Sequence, residues 1–201
     1  MAAGERSGAA YVPLQSGEHI YLRRPSLEDF AEYCALRRSS AEFHRPWEPI
    51  PPPGFDPFGE EAFRRYVDSS DTEQRVRTFL CRREDHRIVG AMNWNELVRG
   101  PLQSAYLGYW IGASFARRGY MREGLALALR HSFEGLELHR VEANVRPENT
   151  ASIALVRGAG FRREGYSPRY VKIAGEWCDH ERWAMLVDDW QALQAGADAT
   201  R

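Results

Sequence analysis

Three short stretches of the chain hold residue types that do chemistry together. The first is Phe115-Ala116-Arg117-Arg118-Gly119-Tyr120-Met121-Arg122-Glu123. Beyond it Met121, Leu125, Leu129 and Phe133 recur every four residues and Leu136 continues the stripe, so a helix starts here. The first N–H groups of a helix lack intrahelical partners, and two arginines precede them, an arrangement that attracts an anion such as a phosphate. Gly119 would let a phosphate approach the backbone or let the chain take a positive φ. A solvated turn with surface arginines is the plainer reading of the same residues. The second stretch is Val141-Glu142-Ala143-Asn144-Val145, a strand that puts Glu142 and Asn144 on one face and stops at Pro147. The third is Asn149-Thr150-Ala151-Ser152, a helix start with Asn149 as N-cap and Ile153, Val156 and Ala159 turned inward. Ordinary capping alone would account for Asn149 and Ser152.

These stretches must be held by a sizeable core. The 201 residues carry 27 Lys+Arg against 28 Asp+Glu and are 43% hydrophobic, which excludes a disordered chain and a nucleic-acid binder driven by bulk positive charge. Lys172 is the sole lysine, a bias that suits anion contacts but fits codon usage as well. Cys34, Cys81 and Cys178 are odd in number and far apart, and the histidines are scattered, so neither disulfides nor a metal site is expected. No run approaches the roughly 18 apolar residues of a membrane span, and Met1 to Gly8 lacks a signal-peptide core. A soluble, cytoplasmic protein without membrane or direct nucleic-acid contacts is the expectation.

The pattern predicts an α/β (α+β) chain of about seven strands and four helices. A strand at Ile20 to Arg23 leads into a helix from Ser26 to about Arg38, with Leu27, Phe30, Tyr33, Cys34 and Arg37 on one mostly apolar face. The stretch from Arg45 to Gly54 contains five prolines and forms a stiff loop. A short helix over Glu60 to Val67 follows, then strands at 77–82, 88–96 and 105–111 and the helix from Met121. After the strand at 141–145 and the helix at 149–160, Phe161 starts a final hairpin turning at Ala174-Gly175-Glu176. The domain should span residues 19–190, with a flexible segment at 1–18 and a tail at 191–201.

The Arg/Gly loop, the Asn-x-x-Ser helix start and Gly160-Phe161 together resemble the GNAT N-acetyltransferases over His19 to Trp190. In that family a loop of pattern Q/R-x-x-G-x-G/A holds the pyrophosphate of acetyl-coenzyme A. Here it reads Ala116-Arg117-Arg118-Gly119-Tyr120-Met121, departing at Ala116 and Met121. Further segments narrow the resemblance to the Rim-type ribosomal-protein-alanine N-acetyltransferases: His44 to Pro49, Leu97 to Gly100, Tyr106 to Tyr109, His139-Arg140, and Tyr170 with Gly175 to His180.

The resemblance implies a mixed, strongly twisted sheet that splays open between the family's fourth and fifth strands, with acetyl-coenzyme A as cosubstrate in the gap and no metal. It assigns Tyr109, Trp110 and Ile111 to main-chain contacts with the pantetheine arm, and Arg117, Arg118, Gly119, Tyr120, Met121 and Arg122 to the pyrophosphate. Asn149 would bond the pantetheine farther down. Direct attack of a neutral amine needs a base for the amine and an acid for the departing thiolate. The family's glutamate and tyrosine positions hold Asn144 and Val156 here, so Asn144, orienting a water, and Ser152, as acid, take those roles, with Glu142 or Glu48 as alternative bases. Trp47, Glu48 and Tyr106 would border the acceptor, Glu48 attracting its ammonium; a hydrophobic plug is the plainer role for Trp47. A protein α-amine with a pKa of about 7.7 to 8.0 is roughly one tenth neutral near pH 7, whereas a lysine amine near 10.4 is neutral about once in a few thousand. The expected acceptor is therefore a protein N-terminus, a ribosomal protein among the candidates. A small amine is the alternative, and a ribosome-associated, coenzyme A-binding factor with little catalysis is the non-enzymatic one. A monomer or a homodimer is expected.

Overall fold

The structure, a computed structural model, describes residues 12–198. Nine strands form one sheet: β1 (Gln15–Ser16), β2 (Ile20–Arg23), β3 (Asp71–Thr72), β4 (Arg75–Arg82), β5 (Ile88–Val98), β6 (Ser104–Ile111), β7 (Arg140–Val145), β8 (Arg162–Ile173) and β9 (Glu176–Leu186). Their spatial order is β1-β2-β4-β5-β6-β7-β9-β8, with the two-residue β3 pairing β4. Among the described residues six α-helices accompany them: α1 (Phe30–Ser39), α2 (Ala41–His44), α3 (Glu60–Asp68), α4 (Tyr120–Arg130), α5 (Thr150–Gly158) and α6 (Val187–Asp198). The seven strands and four helices of the sequence pattern are all present. Added to them are β1, β3 and the single turn of α2, too short to leave a periodic signal, and the C-terminal α6.

Residues 1–11 of the N-terminal segment expected to be flexible lie outside the described residues, and Gln15–Ser16 of the remainder pair with β2. The expected tail after Trp190 continues as α6 to Asp198 because Gln191, Ala192, Leu193 and Gln194 are good helix formers. Residues 199–201 lie outside the described residues.

Alternation along the strands divides the side chains between two faces. On one, Leu80, Met92 and Trp94 are fully buried beneath α4, and the Trp94 indole N–H donates to Ser132 Oγ at 2.7 Å. On the other, Phe79 stacks with Tyr33 of α1 and Tyr66 of α3. Leu27 departs from the expected apolar face of α1 and is exposed, because it sits in the 3-10 turn before the helix; Leu36 is buried in the helix itself.

Two polar contacts tie the first strand into place. Arg23, at the end of β2, donates to both oxygens of Asp29 at 2.7 and 2.6 Å, and Asp29 also accepts the Ser26 N–H at 2.8 Å. Both side chains are sealed from solvent, at 1% and 0% exposure. At the other end of β2, Glu123 of α4 accepts the main-chain N–H groups of His19 and Ile20 at 2.9 and 3.3 Å. A buried pair of this kind is costly to halve, because the survivor keeps its desolvation penalty without its partner. Asp29→Ala is therefore expected to lower stability by about 3–5 kcal/mol in urea unfolding, and the joint replacement Arg23→Met, Asp29→Leu by much less.

Candidate active site

All neighbouring strands run antiparallel except β6 and β7, and these pair over only three positions: Ser104 with Arg140, Ala105 with Val141 and Tyr106 with Glu142. Past Tyr106 and Glu142 the two strands separate, leaving β6 from Leu107 to Ile111 and β7 from Ala143 to Val145 unpaired with each other. Gly112 N–H donates to Val89 O at 2.8 Å, which fixes the alternation along β6. Trp110 and Gly108 turn their main-chain groups toward β5, and Tyr109 and Ile111 turn theirs into the gap. This corrects the expectation for Trp110, whose main chain is committed to β5. His44 occupies part of Ile111: it accepts Arg37 Nη1–H at Nδ1, 3.1 Å away, and donates from Nε2 to Ile111 O at 2.8 Å. Tyr109 is left with both main-chain groups toward the gap.

The α4 side of the gap carries a chain of hydroxyl and amide groups. Asn149 caps α5 by accepting Ser152 N–H at 3.1 Å, which orients Ser152. Ser152 Oγ lies 2.6 Å from Tyr109 Oη. Burial pushes the Tyr109 phenol up to about 12, so it is protonated at neutral pH. Tyr109 can therefore donate to Ser152, leaving the serine hydroxyl proton to be donated elsewhere. Nothing in the sequence pattern links these two residues; their contact depends on α5 crossing beside β6. Val156, the position of the family's tyrosine, is fully buried.

The opposite side of the sheet carries Tyr106, Glu142 and Asn144, as the register of β6 on β7 requires. Glu142 is held by Arg140 Nε at 2.9 Å, and Arg140 also donates to Glu164 at 3.0 Å, so this alternative base is engaged in an ion pair. Asn144 Oδ1 is buried without a hydrogen-bond partner. Burial, with the negative charge of Glu142 and the phenol of Tyr170 beside it, pushes Tyr106 up to about 12.

Glu48 does not stand free for an ammonium. Arg37 Nη2 donates to both its oxygens at 2.7 and 2.8 Å, and the Arg37 guanidinium lies 4.8 Å from the centre of the Trp110 ring. Trp47 is half-buried with the Arg146 guanidinium 5.7 Å from its ring centre, and Arg146 also donates to Pro46 O at 2.9 Å. Arg37 and His44 are the residues that sequence reasoning missed here. The available signal was a charged residue, Arg37, within the apolar face of α1. Across the mouth of the gap, Ala174 N–H at the tip of the β8–β9 hairpin donates to Glu48 O at 3.1 Å.

At the far end of β6 the chain enters the Arg/Gly loop. Gly119, the N-cap of α4, has φ 83°, and a Cβ there would meet no protein atom within 4 Å, so the glycine serves the backbone angle and open space lies above it. Arg117 also has a positive φ, of 61°. Glu123 N–H is the first to bond back, to Gly119 O at 3.1 Å, so the N–H groups of Tyr120, Met121 and Arg122 precede the helical ladder. Arg117, Arg118 and Arg122 are exposed and have no ion pair among the described residues. Positive side chains, free amides and the positive end of a helix converge on one patch. No cluster of His, Cys, Asp and Glu suited to a metal occurs among the described residues.

A sheet parted between two parallel strands, with free amides and arginines gathered at a helix start at one end, is an acetyltransferase architecture of the kind the sequence resembles. The model of the Acetyltransferase (GNAT) domain matches residues 19–162, and the chain belongs to the GNAT acetyltransferase family. It is 30% identical over 177 residues to the probable N-acetyltransferase YjcK of Bacillus subtilis, covering 86% of this chain and 97% of that one. It is 33% identical over 162 residues to the ribosomal protein uS5-alanine N-acetyltransferase of Escherichia coli, covering 80% of this chain and 82% of that one. Mycobacterium smegmatis RimJ in complex with CoA-disulfide superposes with a TM-score of 0.79 at 29% identity, covering 89% of each chain. The expected GNAT fold is present, and no helix among the described residues is long and apolar enough to cross a membrane.

His44 generates a pH prediction. Burial, helped by the Arg37 charge and opposed by its bond to Ile111 O and by Glu48, holds its pKa below the ordinary value of 6.5. The unfolded chain therefore binds the proton more readily, and stability present above about pH 6.5 falls as pH drops below it. His131 and His180 are displaced in the same direction, mainly by burial. The melting temperature should fall between pH 7.5 and 5.5, and His44→Gln should reduce that slope.

Proposed function

We propose that the protein transfers the acetyl group of acetyl-coenzyme A to the N-terminal α-amine of a protein, a ribosomal protein being the first acceptor to test. One observation carries the reading: neither carboxylate near the gap is free to act as a strong base. Glu142 is paired with Arg140 and Glu48 with Arg37, and the unpartnered buried acceptor is the neutral amide oxygen of Asn144. Such a site suits an amine already partly neutral at pH 7, as an α-amine is and a lysine side chain is not. The alanine-acetylating activity named for the Escherichia coli relative supports the same acceptor class.

The residues fit the cosubstrate. The Tyr109 main chain would pair with the pantetheine arm along the open edge of β6, with Asn149 farther along it. The amides of Tyr120, Met121 and Arg122, with Arg117, Arg118 and Arg122 side chains, would hold the pyrophosphate, and Gly119 leaves room for it. Bound acetyl-coenzyme A supplies the activated acyl group. Asn144 Oδ1 would orient a water that passes the amine's proton to solvent as the nitrogen lone pair bonds to the acyl carbon. The carbon–sulfur bond would break on the opposite side of the sheet, where Ser152 would give its hydroxyl proton to the sulfur and be resupplied by Tyr109, which regains its proton from solvent. Acid and base groups thus work from opposite faces.

Incubation with acetyl-coenzyme A and a peptide beginning with a free alanine is expected to release thiol and to place the label on the α-nitrogen by mass spectrometry. No thiol release from a panel of N-terminal peptides would refute the reading. Ser152→Ala should lower kcat by about 10²- to 10⁴-fold, the usual range for a lost general acid, and Tyr109→Phe by less. Unchanged turnover in both Ser152→Ala and Asn144→Ala would show those roles to be wrong. Gly119→Val, strained at φ 83°, should weaken coenzyme A binding measured by calorimetry.

A further inference from the structure

A second cleft lies on the α1–α3 side of the sheet, away from the coenzyme A edge. It has a volume of about 370 Å³, and its wall combines Arg65, Arg75 and Arg77 with Tyr33, Tyr66 and Phe55. No acidic residue lines it. Arg75 and Arg77 are two apart on β4 and so project from one face of the strand. Neither forms an ion pair among the described residues, in a chain where most arginines near the sheet have a carboxylate. Arg77 donates to Tyr66 O at 3.1 Å and lies 4.4 Å from the centre of the Tyr66 ring. Arg75 Nε is buried without a hydrogen-bond partner. Arg65 is paired with Glu61 on the outer surface of α3.

Two half-buried guanidinium groups side by side repel each other, and no carboxylate lines the cleft to offset their charge. A carboxylate entering the cleft would supply that offset, with two acceptor oxygens for guanidinium N–H groups. The aromatic wall of Tyr33, Tyr66 and Phe55 would cover the methylene stem of such a group. The cleft lies on the same face of the sheet as Tyr106, since Arg77 pairs with Asn93 and Asn95 with Tyr106. Tyr33 packs edge-on against Trp110 with ring centres 5.9 Å apart, and Phe55 belongs to the chain that leaves the proline-rich loop.

Resting on the proposed reading that the acceptor is a polypeptide N-terminus, we propose that this cleft binds an acidic side chain of the acceptor, a glutamate or aspartate some residues beyond the acetylated end. The cleft is a specificity site and contributes nothing to the chemistry. A concave pocket with apolar walls favours a single carboxylate over the evenly spaced phosphates of a nucleic acid, and the chain's net charge of −1 gives no general attraction for the latter.

The test uses the full chain and a set of alanine-initiated peptides, each with one glutamate at a different position and a glutamine twin. At one or a few adjacent positions the glutamate peptide should have a KM about tenfold below its twin, the scale of one charge-assisted contact, with a similar kcat. In Arg75→Gln the glutamate-to-glutamine ratio should collapse toward one. Arg75→Gln is the primary variant and Arg77→Gln the second, because Arg77 also braces Tyr66; circular dichroism verifies folding of both. Equilibrium binding of the same peptides, fluorescein-labelled, is measured in parallel. A glutamate preference in binding without any turnover would refute the N-terminal acetylation reading while leaving the cleft assignment standing. Turnover with no glutamate preference at any position, in KM or in binding, would overturn the cleft assignment while leaving the acetylation reading standing. A uridine oligonucleotide that binds the parent and is lost in Arg75→Gln, with no acidic-peptide preference, would also overturn it, in favour of phosphate recognition.

Discussion

The parallel pairing of β6 with β7 lasts three residues and then stops, and the site depends on that interruption. A strand edge deep in a sheet is normally satisfied by its neighbour. Here the main-chain groups of Tyr109 are turned toward a gap instead, because Trp110 on one side of it is bonded to β5 and Ile111 on the other gives its carbonyl to His44. The rest of the sheet stays closed, and its antiparallel ladders from β2 to β6 and from β7 to β8 hold the two halves rigid. An opening between two rigid halves has a fixed width and edge, as recognition of an extended ligand requires.

The same interruption sorts the functional groups by face. Hydroxyls, an N-cap amide and a helix start gather on the α4 side, while carboxylates already neutralised by arginine and one unpartnered amide oxygen gather on the other. Arginine dominates this second side: Arg140 ties Glu142, Arg37 ties Glu48, and Arg146 covers Trp47. A chain with a single lysine has built nearly all its fixed positive charge from guanidinium groups, which hold planar carboxylates in two-point contacts and stack on rings. Residues that read as free acids along the chain are thereby converted into supports.

Much of this was legible in the sequence, and the exceptions have physical reasons. The four-residue repeat from Met121 to Phe133 and the Arg/Gly loop before it are local patterns, and they placed α4 and the arginines at its start. Asn149 as N-cap was legible for the same reason. The Tyr109–Ser152 contact joins residues 43 positions apart, and its geometry depends on how α5 packs beside β6. Glu48 was readable as an acid near the acceptor, but its commitment to Arg37 was hidden, because the partner lies in the preceding helix on the far side of the α2 turn. Trp110 illustrates a subtler limit. Its strand was evident, yet the edge to which its main chain turns follows from register with β5, which a single strand's sequence does not contain.

The bond from Ala174 N–H to Glu48 O bears on how a substrate gets in. Glu48 is fastened through Arg37 beside Trp110 of β6, and Ala174 sits on a hairpin fastened through β9 to β7, so the contact bridges the two halves of the parted sheet. A notch in a surface accepts the middle of a chain as readily as its end, whereas a closed ring can be entered only by threading. With this bridge made, that side of the gap is spanned, and on the proposed reading a free terminus is the part of a polypeptide that would pass beneath it. The bridge is a backbone hydrogen bond worth about 1 kcal/mol, reinforced by Arg146, just past β7, which donates to Pro46 O at 2.9 Å beside Trp47.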